Sequence, residues 1–300
     1  MLNSIKKLLL GSPKAINDNP FKSLSYYNDF VNDNFLLCTG MGRSGTHFMA
    51  KLFDNSKNVD ALHLDEVGNS TADSFYQYAK WYGLDVDTYP LLSSRNYLIK
   101  EAKSENKIFF ESNPYLSLHI SDFIKHLNTK VILIYRDPKK VIESHYNKGW
   151  YLDHKLAFQI DQHRLPGYQY EYQSPNHFFG RFHPNTRREL DGWQTLTRVG
   201  KISWMWRQVY KTGLSELKSH PAKIYLVKLE DFDYSSYQNC CKFLGVSEIT
   251  ENRFEEIRTK KPGKGAYSSF PEWSEKEINE FLFYTNDILK DLNNQLKKSL

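Results

Sequence analysis

The chain contains one stretch whose residue types and order could hold an anion: Gly40-Met41-Gly42-Arg43-Ser44-Gly45-Thr46-His47, placed directly after the apolar run Phe35-Leu36-Leu37-Cys38. A buried strand running into a glycine-rich turn, with a helix-forming segment after it (Phe48-Met49-Ala50-Lys51-Leu52-Phe53), points backbone N–H groups and a helix N-terminus at one spot. The pattern is nearly G-x-x-x-x-G-K-[ST], the loop that cradles nucleotide phosphates, but Thr46 stands where the lysine should be and Arg43 brings the cation inside the loop. These residues predict a phosphate-rich ligand. They argue against ordinary ATPase or kinase chemistry, which needs the lysine.

A second anchor lies about ninety residues further on. The strongest strand candidate, Val131-Ile132-Leu133-Ile134-Tyr135, ends in Arg136-Asp137-Pro138, where Asp137 can cap a helix and Pro138 can open it. Ser144 follows Arg136 by eight residues, about two helical turns in, so the pair can converge on a small anion at the carboxyl end of a parallel strand.

Taken together, these residues resemble the sulfotransferases that use 3′-phosphoadenosine-5′-phosphosulfate (PAPS). Their first signature, P-[RK]-S-G-T, reads here Gly42-Arg43-Ser44-Gly45-Thr46; their second, R-D-P with a later serine, reads Arg136-Asp137-Pro138 with Ser144. Lys228-Leu229-Glu230-Asp231-Phe232, with Lys242-Phe243-Leu244-Gly245 after it, is similar to the family's Y-E-D-L…F-L-G segment, and Pro271-Glu272-Trp273-Ser274 resembles the tryptophan before its last helix. The resemblance implies that Gly42, Arg43, Ser44, Gly45, Thr46 and His47 wrap the 5′-phosphosulfate, and that Arg136 and Ser144 hold the 3′-phosphate. Lys261 and Lys264 occupy the place of a basic loop that closes over the 3′-phosphate. It implies the glycan or tyrosyl type more than the cytosolic small-molecule type, and chemistry that needs no metal.

The reaction implied is transfer of the sulfuryl group to a hydroxyl or amine of a glycan or small metabolite. Arg43 would offset the charge growing on the departing phosphate. Such a transfer needs a base for the acceptor proton. The segment His63-Leu64-Asp65-Glu66 offers Glu66 as the preferred candidate, with Asp65 and His63 as rivals. Where glycan-type members often carry a lysine after the third strand, this chain has Ser112 in Glu111-Ser112-Asn113-Pro114-Tyr115, so another cation, such as Lys148, has to substitute or Arg43 acts alone. Two other readings stay open: a nucleotide-dependent kinase, and a non-catalytic cofactor-binding relative.

The elements that must position these groups follow from the alternation of strand and helix patterns. Strands are expected near 34–39, 59–64, 107–111, 130–135 and 223–229. Helices are expected near 44–56, 73–81, 95–104, 115–127, 138–147, 201–218, 234–244 and 274–296. The fold class is α/β: a three-layer P-loop fold with a central, mostly parallel sheet between helices. We expect one domain over 1–300, with 1–30 an N-terminal extension and 149–192, which has little periodicity and is rich in Tyr, His and Arg, a lid or acceptor-binding insertion.

Composition fits this frame. Apolar residues make up 40%, enough for a full core, and a net charge of +5 with no dense basic block suits an anionic ligand without calling for nucleic acid. Three cysteines, two of them adjacent, make no disulfide framework, and Leu8-Leu9-Leu10 is too short for a signal or membrane segment, so a cytoplasmic protein is expected. The histidines His145, His154, His163, His177 and His183 do not fall at metal-ligand spacings and are read as lid, acceptor-site or surface residues. Trp204, Trp206, Tyr267 and Trp273 are expected mainly in the core.

Overall fold

The structure is a computed structural model and describes residues 34–151, 179–259 and 272–299. Five strands form its centre: β1 (Phe35–Thr39), β2 (Val59–His63), β3 (Ile108–Ser112), β4 (Lys130–Tyr135) and β5 (Ile224–Lys228). All pair in parallel, in the spatial order β2-β3-β1-β4-β5. The helices are α1 (Thr46–Phe53), α2 (Leu64–Val67), α3 (Ser70–Tyr82), α4 (Tyr89–Ser93), α5 (Asn96–Ser104), α6 (Ile120–Leu127), α7 (Pro138–Asn147), α8 (Arg187–Gln194), α9 (Arg198–Ser219), α10 (Tyr234–Leu244), α11 (Glu251–Thr259) and α12 (Glu275–Ser299).

Strand period accounts for the three layers. Successive side chains point to opposite faces of a sheet. Phe35 and Leu37 of β1, Phe109 of β3, and Val131, Leu133 and Tyr135 of β4 pack into one apolar cluster, with residues of α5, α6, α9 and α12. Leu36, Cys38, Phe110, Ile132 and Ile134 pack into the other, with α1, α10 and α11. A sheet covered on both faces must be apolar on both, which explains the near-continuous apolar runs in the sequence. The three cysteines are free and buried in this core.

The strand order also fixes where a ligand can sit. β1 sends its chain toward β2 on one side of the sheet, whereas its neighbour β4 sends its chain toward β5 on the other. The crevice at the carboxyl ends of strands that diverge in this way is the binding position of open α/β sheets. Both sequence anchors lie there.

The expected strands match within a residue or two, and the helices are present. The helix expected over 115–127 starts only at Ile120, because Pro114–Leu116 forms a 3₁₀ turn first, held by the Asn113 side chain accepting from the Tyr115 N–H. Of the expected lid at 149–192, residues 152–178 lie outside the described residues. Among its described residues, Trp150, Tyr151, Phe182 and Leu190 are buried in the same cluster as β1 and β4. Residues 1–30, Tyr267 and the 260–265 loop, with Lys261 and Lys264, also lie outside the described residues. Trp204 and Trp206 are core residues, as expected. Among the described residues, no helix is long and apolar enough to cross a membrane.

Candidate active site

The glycine loop is shaped by its floor. A Cβ on Gly40 would lie 2.1 Å from the Ile134 carbonyl oxygen of β4, so only glycine lets the chain leave β1 here. Gly45 caps α1 with φ 108°, a left-handed conformation that side chains disfavour. Arg43 also has positive φ, 71°. The turn closes with the Ser44 N–H donating to the Met41 carbonyl at 3.2 Å.

Tyr210, from the middle of α9, holds this loop from beneath. Its hydroxyl donates to the Ile134 carbonyl at 3.0 Å. With that proton committed, it accepts from the Met41 N–H at 3.3 Å and from the Ser44 hydroxyl at 2.8 Å. Tyr210 and Ser44 are fully buried, so the Ser44 side chain serves the loop's shape and is turned away from the open side. His145, buried on α7, donates from Nε2 to the Gly42 carbonyl at 2.8 Å. Burial pushes its pKa down to about 3, so the ring is neutral and keeps that donor at neutral pH.

The cations expected at the two anchors meet. Arg43 Nε donates to Ser144 Oγ at 2.8 Å, and an Arg136 guanidinium N–H donates to the Arg43 carbonyl at 3.3 Å. The expected cap is present: the Asp137 carboxylate accepts from the Lys139 N–H, with Pro138 opening α7. Glu230 steadies the corner, pairing with Arg136 Nε at 3.7 Å and with Lys140 at 3.6 Å, and accepting from the Asp137 N–H.

Beside the loop is a cavity of about 120 Å³, lined by Gly42, Arg43, Thr46, His47, His63, Asp65, Lys148 and, at its apolar end, Tyr115, Trp150, Met205 and Val209, among others. The structure brings His63 and Asp65 to this cavity but not Glu66. The Glu66 carboxylate accepts from the His63 N–H at 2.6 Å in a capping box that opens α2, so its oxygen is committed to backbone. His63 lies at the end of β2, buried, 3.3 Å from the Thr46 hydroxyl, with its ring stacked on His47 at 3.4 Å between centroids. Burial, with His47 alongside, pushes the His63 pKa down to about 4. Asp65 Oδ2 lies 3.5 Å from His47 Nε2 and 3.5 Å from His63 Nδ1. No metal set was expected from spacing along the chain, but the fold joins these three potential ligands from different elements.

Ser112, which replaces the expected lysine, is buried and donates to the Thr46 carbonyl at 2.8 Å, tying α1 to β3. Lys148 is the lysine that lines the cavity. Glu111 is held in a buried network: Arg95 makes paired bonds to both Glu111 oxygens and both Asp73 oxygens, at 2.6–2.9 Å. Asn113 donates to both carboxylates and its backbone N–H donates to the Cys38 carbonyl, which fixes the turn carrying Pro114 and Tyr115 into the cavity wall. Burial opposes the charge on Arg95, but the two carboxylates outweigh it and raise its pKa. Sequence reasoning missed Tyr210 and the Asp73–Arg95 pair. Tyr210 is 166 residues from Ser44 and carries no local pattern. Asp73 and Arg95 lie on what read as ordinary amphipathic helices.

A family model described as "Sulfotransferase domain" matches residues 33–299. A solved structure, the sulfotransferase STF9 from Mycobacterium avium, matches with TM-score 0.49 and 13% identity over 99% of this chain and 84% of that one. No curated protein matches in sequence.

Proposed function

The chain belongs to the sulfotransferase domain family, and from that premise we propose that it moves the sulfuryl group of PAPS onto a hydroxyl or amine of a small metabolite or glycan. The observation that carries this reading is the meeting of Arg43, Ser144 and Arg136 at the divergent carboxyl ends of β1 and β4. Two guanidinium groups, a hydroxyl and a glycine turn whose floor excludes any Cβ make a donor set suited to phosphate groups and poor for neutral ligands. The loop Gly42–Thr46 would hold the 5′ side of the donor, and Arg136 with Ser144 the 3′-phosphate. The absence of a lysine beside Thr46 weighs against triphosphate chemistry.

When bound, PAPS supplies an activated sulfuryl group on a phosphate leaving group. The chain's own residues supply the rest. Arg43 and Lys148 face the cavity as cations and offset negative charge that grows during transfer. Asp65 is the carboxylate that lines the cavity, so it, and not Glu66, takes the acceptor's proton. His47 and His63 lie against it, each with a ring nitrogen 3.5 Å from Asp65 Oδ2. Tyr115, Trp150 and Met205 form the flat, water-excluding wall against which the acceptor would rest.

The test is a pair of variants assayed with labelled PAPS over an acceptor panel. Asp65→Asn should keep donor binding and lower kcat about 10²–10⁴-fold. Glu66→Gln should keep kcat and, because the amide oxygen can still accept from the His63 N–H, leave the capping box largely intact. The opposite pattern would return the base to Glu66. No transfer by wild type to any acceptor, with donor bound, would leave a binding protein.

A further inference from the structure

We propose that His47, His63 and Asp65 form a binding site for a first-row divalent transition metal such as Zn²⁺, and that the metal, when bound, inhibits the enzyme. The three residues come from separate elements: His47 from the first turn of α1, His63 from the end of β2, and Asp65 from the start of α2. Each brings one donor atom within 4.8 Å of the other two. Metal–nitrogen and metal–oxygen bonds of about 2.0–2.2 Å put tetrahedral ligand atoms about 3.4 Å apart. His47 Nε2 and His63 Nδ1 each already lie 3.5 Å from Asp65 Oδ2. The remaining adjustment is a swing of the His47 ring off its stack with His63, and that side chain is 65% exposed and free to make it.

The surroundings match what a metal site needs. A histidine ligand is usually fixed by a hydrogen bond from its other ring nitrogen. His63 has that arrangement: Nε2 faces the Thr46 hydroxyl at 3.3 Å, and with the proton there Nδ1 presents its lone pair to Asp65. The same lone pair accepts from the Asp65 N–H at 3.4 Å, a long contact that metal binding would replace. His63 is buried and so pre-positioned, while His47 and Asp65 are open to the cavity, where water can complete the coordination. Two imidazoles and one carboxylate favour zinc, cobalt, nickel or copper over magnesium and calcium, which prefer all-oxygen sets.

Inhibition rests on the proposed function above: a metal held by Asp65 takes the lone pair that would accept the acceptor's proton, and it occupies the cavity that Arg43 also lines. The binding claim does not depend on that reading and is tested apart from it. Full-length, chelator-stripped protein is titrated with Co²⁺ as a spectroscopic probe and with Zn²⁺ by calorimetry. One equivalent should bind, with visible Co²⁺ absorption of a low-coordinate nitrogen–oxygen site, and excess Mg²⁺ should not displace it. His47→Ala and Asp65→Asn, both exposed positions, should each weaken binding about ten-fold or more with metal-free melting temperatures unchanged. An absence of binding, or equal binding in both variants, would overturn the site. In turnover assays Zn²⁺ should abolish transfer and EDTA should restore it. Binding without inhibition, or transfer that requires the metal, would overturn the blocking role while leaving the site, and no transfer with or without metal, the donor being bound, would count against the sulfotransfer reading but not the metal site.

Discussion

Tyr210→Phe removes a single oxygen atom, yet that atom is the junction of the glycine loop. Its three partners are the Ile134 carbonyl at 3.0 Å, the Met41 N–H at 3.3 Å and the Ser44 hydroxyl at 2.8 Å, all buried. A buried polar group left without its partner costs about 1–3 kcal/mol. Some of these groups can find weaker partners, so the expected loss is about 3 kcal/mol for the set. At about 2–4 °C per kcal/mol for a chain of this size, the melting temperature should fall by about 6–12 °C. The phenylalanine ring keeps the packing against Trp206 and Tyr135, so the loss belongs to the hydroxyl and not to a cavity. The loop would then sample conformations that do not present its N–H groups together, and affinity for 3′,5′-ADP should fall about ten-fold, or 1.4 kcal/mol. Circular-dichroism melts with and without 3′,5′-ADP measure both effects. A melting temperature within about 1 °C of wild type, with unchanged affinity, would refute the claim that this hydroxyl organises the loop.

The remaining predictions concern the network behind the site and its response to acid. Arg95→Met strands Asp73 and Glu111, both buried, and should destabilise by about 3–5 kcal/mol in urea unfolding; a change under about 1 kcal/mol would mean the carboxylates find other partners. His63, His145 and His183 are buried with pKa values pushed down to about 4, 3 and 3 by burial, and His47 adds to the effect at His63. Their ordinary value is 6.5, so the unfolded chain takes up protons that the folded chain refuses. Stability from these groups is complete above about pH 7.5 and is lost as pH falls from 6.5 toward 3–4, by about 1.4 kcal/mol per histidine at pH 5.5. Urea midpoints that stay flat between pH 7.5 and 5.5 would contradict this.

Much of the fold was legible because its signals are local. The apolar runs of β1 and β4, the glycine turn after one and Arg136-Asp137-Pro138 after the other are each readable in a short window. The resemblance implied that both bind one ligand; that Arg43 reaches Ser144 directly, across 101 residues, was not expected and follows from β1 and β4 being neighbours in the sheet. The choice between Glu66 and Asp65 was not legible. The two are adjacent, and only the start of α2 at Leu64 decides which one caps the helix and which one faces the cavity. Tyr210 and the Asp73–Arg95–Glu111 network were invisible for a different reason: a buried polar group looks like a surface one until its partners, far away in the chain, are known. The histidines at 47 and 63 do not stand at a metal-ligand spacing along the chain, and only the fold sets them side by side across two elements.

Under the proposed function this site reads a nucleotide by its 3′-phosphate, with Arg136 and Ser144 doing the reading. The most direct measurement is calorimetric titration of 3′,5′-ADP against 5′-AMP, and of ATP with Mg²⁺, into wild type and Arg136→Ala. 3′,5′-ADP should bind at least about ten-fold tighter than 5′-AMP, a gap of 1.4 kcal/mol or more; Arg136→Ala should close this gap, and ATP with Mg²⁺ should bind weakly in both. Equal affinity for the two monophosphate-bearing ligands in wild type, or a preference for ATP with Mg²⁺, would contradict it.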